Sequence, residues 1–152
     1  MEYMKLAYEE AQKNAEKKFK PGGPFGTVII KNGKVIAKAH NTVLKSKDPT
    51  AHAEINAIRM ACKKLRTHDL TGCVMYTNCE PCPMCLSAII WANIKEVYYG
   101  NTKNDAAEIG FRDEFIYEAL KKEEQDAVKL MNIGREVTIQ TFKDFNESKH
   151  LY

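Results

Sequence analysis

Hydrophobic positions first recur at helical spacing. Met4, Tyr8, Ala11, Ala15 and Phe19 lie three to four residues apart with Glu and Lys between them, which predicts an amphipathic helix over 4–19. Pro21-Gly22-Gly23-Pro24 ends it. Two apolar runs follow, Phe25 to Lys31 and Lys34 to Ala39, on either side of Asn32-Gly33, the dipeptide best suited to a tight hairpin turn. Gly26 inside the first run marks a bulge or a close approach by another group. From His40 to Lys47 there is no periodicity, which predicts a loop. Asp48-Pro49 then reads as an N-cap with proline at the first helical position. The helix it opens has a buried stripe of Ile55, Ile58, Ala61, Cys62 and Leu65.

Thr71-Gly72 turns the chain into a strand from Cys73 to Thr77, and Cys79 to Cys82 reads as a loop. Pro83 suits a helix start, predicting a buried helix over 84–92, and a strand over 95–99 closes at Gly100. Asp105 to Lys122 is helical with a break near Gly110-Phe111, and Val128 to Ile133 reads as a short edge strand. Residues 137–145 fit either periodicity; Phe142 and Phe145, followed by polar residues, favour a helix. The alternation of helix and strand after the hairpin predicts an α/β sheet covered on both faces. The length suits one domain over 1–152.

Composition narrows the setting. With 44% hydrophobic and 28% charged residues, the chain is expected to be an ordinary soluble globular protein. Lys and Arg number 23 against 20 Asp and Glu, an interspersed excess too weak for a nucleic-acid footprint, so an RNA-editing enzyme is disfavoured. The start lacks a basic flank followed by an apolar run, and the most apolar window, Ala88 to Ala92, is too short to span a bilayer. Five cysteines, three of them crowded into 79–85, do not suit a secreted disulfide scaffold and predict a cytoplasmic protein.

The candidate chemistry lies in His52-Ala53-Glu54 and Pro81-Cys82-Pro83-Met84-Cys85. One histidine and two cysteines form a donor set that Zn²⁺ prefers, and three protein ligands leave the fourth tetrahedral position open, as in catalytic sites. Side chains two apart in mid-helix do not face the same way, so His52 and Glu54 share a site only if they sit in a first turn. Glu54 would then act as base and acid in turn, a role worth roughly 10² to 10⁴ in rate. The H-E-x-x-H run of zinc peptidases is absent. Cys79 leaves a second reading open. With His52, Cys82 and Cys85 it would complete a closed structural site that makes no use of Glu54, as in a zinc-stapled binding module without activity.

These two motifs together are the H-x-E…P-C-x-x-C pattern of zinc-dependent nucleobase deaminases, and the chain resembles the cytidine deaminase superfamily. Within it, the chain is similar to bacterial guanine deaminases through Gly23-Pro24-Phe25-Gly26, Asn41, Asp48-Pro49-Thr50-Ala51-His52-Ala53-Glu54, Cys79 to Cys85, Asp105-Ala106-Ala107-Glu108 and Gly110 to Tyr117. The resemblance implies a three-layer α/β/α sandwich with a mixed five-stranded sheet, and conversion of guanine to xanthine and ammonia. It also implies that Asn41 hydrogen-bonds the purine, Phe25 packs against its ring, Trp91 lines the pocket, and Asp113 is a second proton carrier beside Glu54. It further implies a homodimer in which 134–152 cross between subunits and bring Tyr152 over the base. Cytosine, guanosine or another aminated heterocycle are the alternative substrates.

Overall fold

Val28, Ile29 and Ile30 alternate between two faces of one strand, β1 (Gly26–Lys31), and the layering follows from that alternation. In a computed structural model that describes residues 1–15, 21–111, 113–121 and 131–148, β1 turns through Asn32 and Gly33 into β2 (Lys34–His40). Both turn residues have positive φ, 49° and 71°, the geometry that an Asn-Gly hairpin turn requires. β1 pairs antiparallel on its other side with β3 (Cys73–Cys79), which runs parallel to β4 (Glu96–Asn101). The sheet order is β2-β1-β3-β4.

One face of this sheet, presenting Val28, Ile30, Val74 and Tyr76, is covered by α1 (Glu2–Ala15) through Tyr3, Met4, Leu6 and Ala7. The other face presents Ile29, Ala37, Ala39 and Met75 to α3 (Ala53–Leu65) and α4 (Pro83–Trp91), which contribute Ala57, Ala61 and Ile89. A parallel β3–β4 pair needs a crossover, and α4 supplies it. The sheet is therefore covered by helices on both faces, as the alternation of helix and strand predicts.

Four details depart from the sequence expectation. Among the described residues the sheet has four strands, not five. Of the expected edge strand at 128–133, residues 128–130 lie outside the described residues and 131–133 have no regular structure. The unpatterned stretch after His40 contains a single helical turn, α2 (Val43–Ser46). α3 starts at Ala53 and not at Pro49, because Asp48 Oδ1 accepts hydrogen bonds from Thr50 N (2.8 Å) and Oγ1 (2.7 Å) and so closes a turn of its own. Of the helix expected over 4–19, residues 16–20 lie outside the described residues.

The predicted break holds: α5 (Lys103–Glu108) and α6 (Asp113–Lys121) are separated at Gly110, whose φ is 93°. Residues 135–148 form a helix, α7 (Arg135–Ser148). Contacts divide the chain into Met1–Glu118, which holds the whole sheet, and Ala119–Tyr152, which holds α7.

Candidate metal centre

The late start of α3 places His52 at its N-cap, with φ −67° and ψ 161°. Cys82 takes the same position on α4, with φ −65° and ψ 166°, and Pro83 follows at the first helical position. Neither residue caps its helix with a side-chain hydrogen bond. The two side chains turn instead towards each other, and Cys85, one turn into α4, joins them. His52 Nδ1 lies 3.6 Å from Cys82 Sγ and 3.5 Å from Cys85 Sγ.

That spacing tests the fit of a metal. Zinc–sulfur bonds of about 2.3 Å and zinc–nitrogen bonds of about 2.0–2.1 Å, set at a tetrahedral angle, put nitrogen and sulfur roughly 3.6 Å apart. All the donor atoms of His52, Cys82 and Cys85 lie within 4.8 Å of one another. The residues fit Zn²⁺, and no fourth His, Cys, Asp or Glu among the described residues joins the group. Cys79, the possible fourth thiolate, is outside this cluster; its thiol donates to Thr102 O at 3.6 Å. The closed structural site is therefore not formed.

Glu54, in the first turn of α3, is 6% exposed and opens into the same space. Burial pushes its carboxyl up to about 7, with the nearby Cys82 sulfur adding to the shift. The Cys85 thiol hydrogen-bonds the Cys82 sulfur and holds Cys82 down to about 4, and Cys85 is raised by that same hydrogen bond, by burial and by Glu54. Cys82, at a helix N-terminus, is the natural thiolate of the pair.

The cavity beside the cluster is lined by Phe25, Asn41, Glu80 and Phe111 together with His52, Glu54, Cys79 and Cys82. Its free space is about 30 Å³, room for a water or two. Phe25 and Phe111 meet edge to face across it, with ring centroids 4.7 Å apart. Of the residues assigned from sequence, His52, Cys82, Cys85, Glu54, Asn41 and Phe25 are brought together. Trp91 is not among the lining residues: it ends α4, about 9 Å of helix beyond Cys85, and is 75% exposed. Asp113 opens α6, and Tyr152 lies outside the described residues.

The profile of the cytidine and deoxycytidylate deaminase zinc-binding region matches residues 1–101. The chain belongs to this deaminase family. Guanine deaminase of Bacillus subtilis (strain 168) is 57% identical over 101 residues, 66% of this chain and 65% of that protein. The chain thus spans slightly less than two thirds of that relative's length in the match. A tRNA-specific adenosine deaminase of Aquifex aeolicus is 38% identical over 137 residues, 90% of this chain and 77% of the relative. The crystal structure of guanine deaminase from Bacillus subtilis superposes with a TM-score of 0.92 at 42% identity, covering 99% of this chain and 97% of that one.

Four contributors to this centre were not singled out as site residues from sequence. Phe111 follows the helix break and forms one wall; only its neighbourhood in a Gly-Phe step hinted at it. Glu80 anchors the metal-binding loop: its Oε2 accepts from Lys103 N at 3.1 Å, and its N–H donates to Asn101 O at 2.8 Å. Tyr117 donates to Pro81 O at 3.1 Å, so α5 and α6 hold the loop between Cys79 and Cys82 from outside. Gly22 is the fourth. A Cβ there would lie 2.0 Å from Asn41 Oδ1, so only a glycine lets this loop pack against the Asn41 amide.

Proposed function

We propose that the protein is a hydrolytic guanine deaminase, releasing ammonia and xanthine from guanine and water. The observation that carries the reading is the open cluster of His52, Cys82 and Cys85 with the buried Glu54 carboxyl beside it. The guanine deaminase likeness over nearly the whole chain selects the substrate. Zinc held by these three residues supplies a Lewis acid that makes water a stronger acid.

The chain's own residues do the rest. Glu54 takes a proton from the attacking water and returns protons to the ring nitrogen and the departing amine, as the C2–N bond breaks and a C2–O bond forms. A carboxyl poised near neutrality suits a group that must both accept and donate. Asn41 Oδ1 is occupied by Val43 N at 3.1 Å, which leaves the amide Nδ2 to donate to the purine. Phe25 stacks or packs against the ring, and Phe111 must part from it to admit a flat base. Asp113, on α6, serves as a second proton carrier.

The working form is a homodimer. Its support is α4, which is apolar on all sides yet leaves Leu86, Ile90 and Trp91 exposed, and α7, whose Val137 and Phe142 are exposed as well. The α4 face meets a second copy, with Trp91 beside the partner's site, and residues 134–152 cross over so that Tyr152 closes it. A reducing cytoplasm suits the five free cysteines.

The deciding experiment measures ammonia release from guanine, cytosine, adenine and their nucleosides, with zinc content on the same sample. Guanine turnover with one zinc per chain is expected; release from cytosine alone, or metal-free protein, refutes the assignment. For the exchange, mixed dimers of Glu54→Ala chains and chains ending at 133 should regain activity. The single tail, if crossed, completes the site that keeps Glu54, whereas an uncrossed tail closes only the site that lacks it.

A further inference from the structure

Helix α1 supplies nothing to the metal cluster, yet its buried face mixes Ala7 and Ala11 with two polar side chains, Glu10 and Asn14. The helix lies directly on β1. At Gly26 a Cβ would sit 2.2 Å from Ala7 O and 2.4 Å from Ala11 N, so the backbones approach through that glycine. This contact brings the end of α1 beneath the site. Asn14 is fully buried there, and its Nδ2 donates to both Gly23 O and Asn41 O at 2.7 Å.

Those two carbonyls belong to the segments that flank the cavity. One carries Phe25; the other carries Asn41, whose N–H also bonds Phe25 O at 3.0 Å. We infer that Asn14 is a positioning residue for substrate binding: its amide locks Phe25 and Asn41 at a set separation across the cavity. The inference rests on the guanine reading above.

The oxygen of the same amide supports this. Asn14 Oδ1 is buried with no hydrogen-bond partner among the described residues. A buried unpaired acceptor is costly, and an apolar side chain would fill the space without that cost. What only the amide provides is the pair of donors. Asn14 contacts neither a metal ligand nor Glu54 through either bond, so its loss should fall on binding and leave the chemical step alone.

The test compares Asn14→Ala, Asn14→Asp and a control, Val28→Ala, which loosens the packing beneath α1 without touching a polar contact of the site. The aspartate keeps the side-chain volume but puts an acceptor against two carbonyls, so it serves if the alanine variant does not accumulate. Binding of the guanine analogue 8-azaguanine is measured in a Glu54→Gln background, and guanine kinetics are measured with Glu54 intact.

In the Asn14 variants, 8-azaguanine binding should weaken tenfold or more and KM for guanine should rise alike. kcat should stay within about threefold, with one zinc retained per chain. Val28→Ala should lower the unfolding temperature while changing binding less than twofold. Wild-type binding that both Asn14 variants preserve, a loss confined to kcat, or equal weakening by Val28→Ala overturns the inference alone. Wild-type protein that neither binds 8-azaguanine nor deaminates guanine overturns the substrate reading and this inference with it.

Discussion

Replacing Gly22 by alanine should cripple the enzyme without unfolding it or removing its metal. The added Cβ would stand 2.0 Å from Asn41 Oδ1 and 2.9 Å from Asn41 Cγ and O, where real contacts below 3.0 Å are essentially never seen. The Asn41 amide must therefore withdraw by at least about 1 Å, and by somewhat more to reach ordinary contact. It cannot do so freely, because the same oxygen holds Val43 N and the residue's carbonyl is held by Asn14. Gly22 is not among the glycines with positive φ, so the backbone accepts alanine and the effect is one of displacement.

A misplacement of about 1 Å in a substrate-positioning group costs on the order of 10²-fold. The expected result is a fall in kcat/KM for guanine of about that size, with zinc content unchanged. Gly33→Ala is the control. Nothing lies within 4 Å of its Cβ but its φ is +71°, so it should cost stability through backbone strain of about 1 kcal/mol and leave kcat/KM alone. If Gly22→Ala turned over guanine at the wild-type rate, Asn41 would not be the residue that reads the base.

Glu54→Gln should keep one zinc per chain and lose roughly 10² to 10⁴ of turnover, since only the proton carrier is removed; a binding module would be unaffected. Cys79→Ser should retain the zinc and most activity, because its thiol bonds Thr102 O and lies outside the donor cluster; metal loss on analysis would restore it as a ligand. Glu10 offers a pH test. Burial raises its carboxyl, but Lys13 (2.7 Å) and His40 (3.2 Å) outweigh that and leave it below its ordinary 4.5. A depressed carboxyl contributes stability above the unfolded value and loses it as pH falls through the folded one. The unfolding temperature should therefore drop more steeply below about pH 4.5 in the wild type than in Glu10→Gln. Parallel curves would deny the ion pairs any role.

The metal ligands were legible because a tetrahedral ion demands particular donor atoms, and His52, Cys82 and Cys85 sit in two short runs, the second with its helical start marked by Pro83. The hairpin was equally legible in Asn32-Gly33, and the faces of β1 in the alternation of Val28, Ile29 and Ile30. Where expectation slipped, a local signal had two uses. Asp48 and Pro49 look like a helix start, but Asp48 spends its carboxylate on Thr50 and hands the N-cap to His52.

By itself the amino-acid order determined which atoms could hold zinc, which side chain could carry a proton, and that strands would be layered between helices; each is a property of neighbours within one or two turns. Only the folded chain decided how α1 reaches the site, why Gly22 must lack a side chain, and that Phe111 faces Phe25. Those depend on contacts between segments tens of residues apart, such as Asn14 with Asn41, whose separation no periodicity encodes. Close packing set them, because in a dense interior the position of one amide is determined by everything around it.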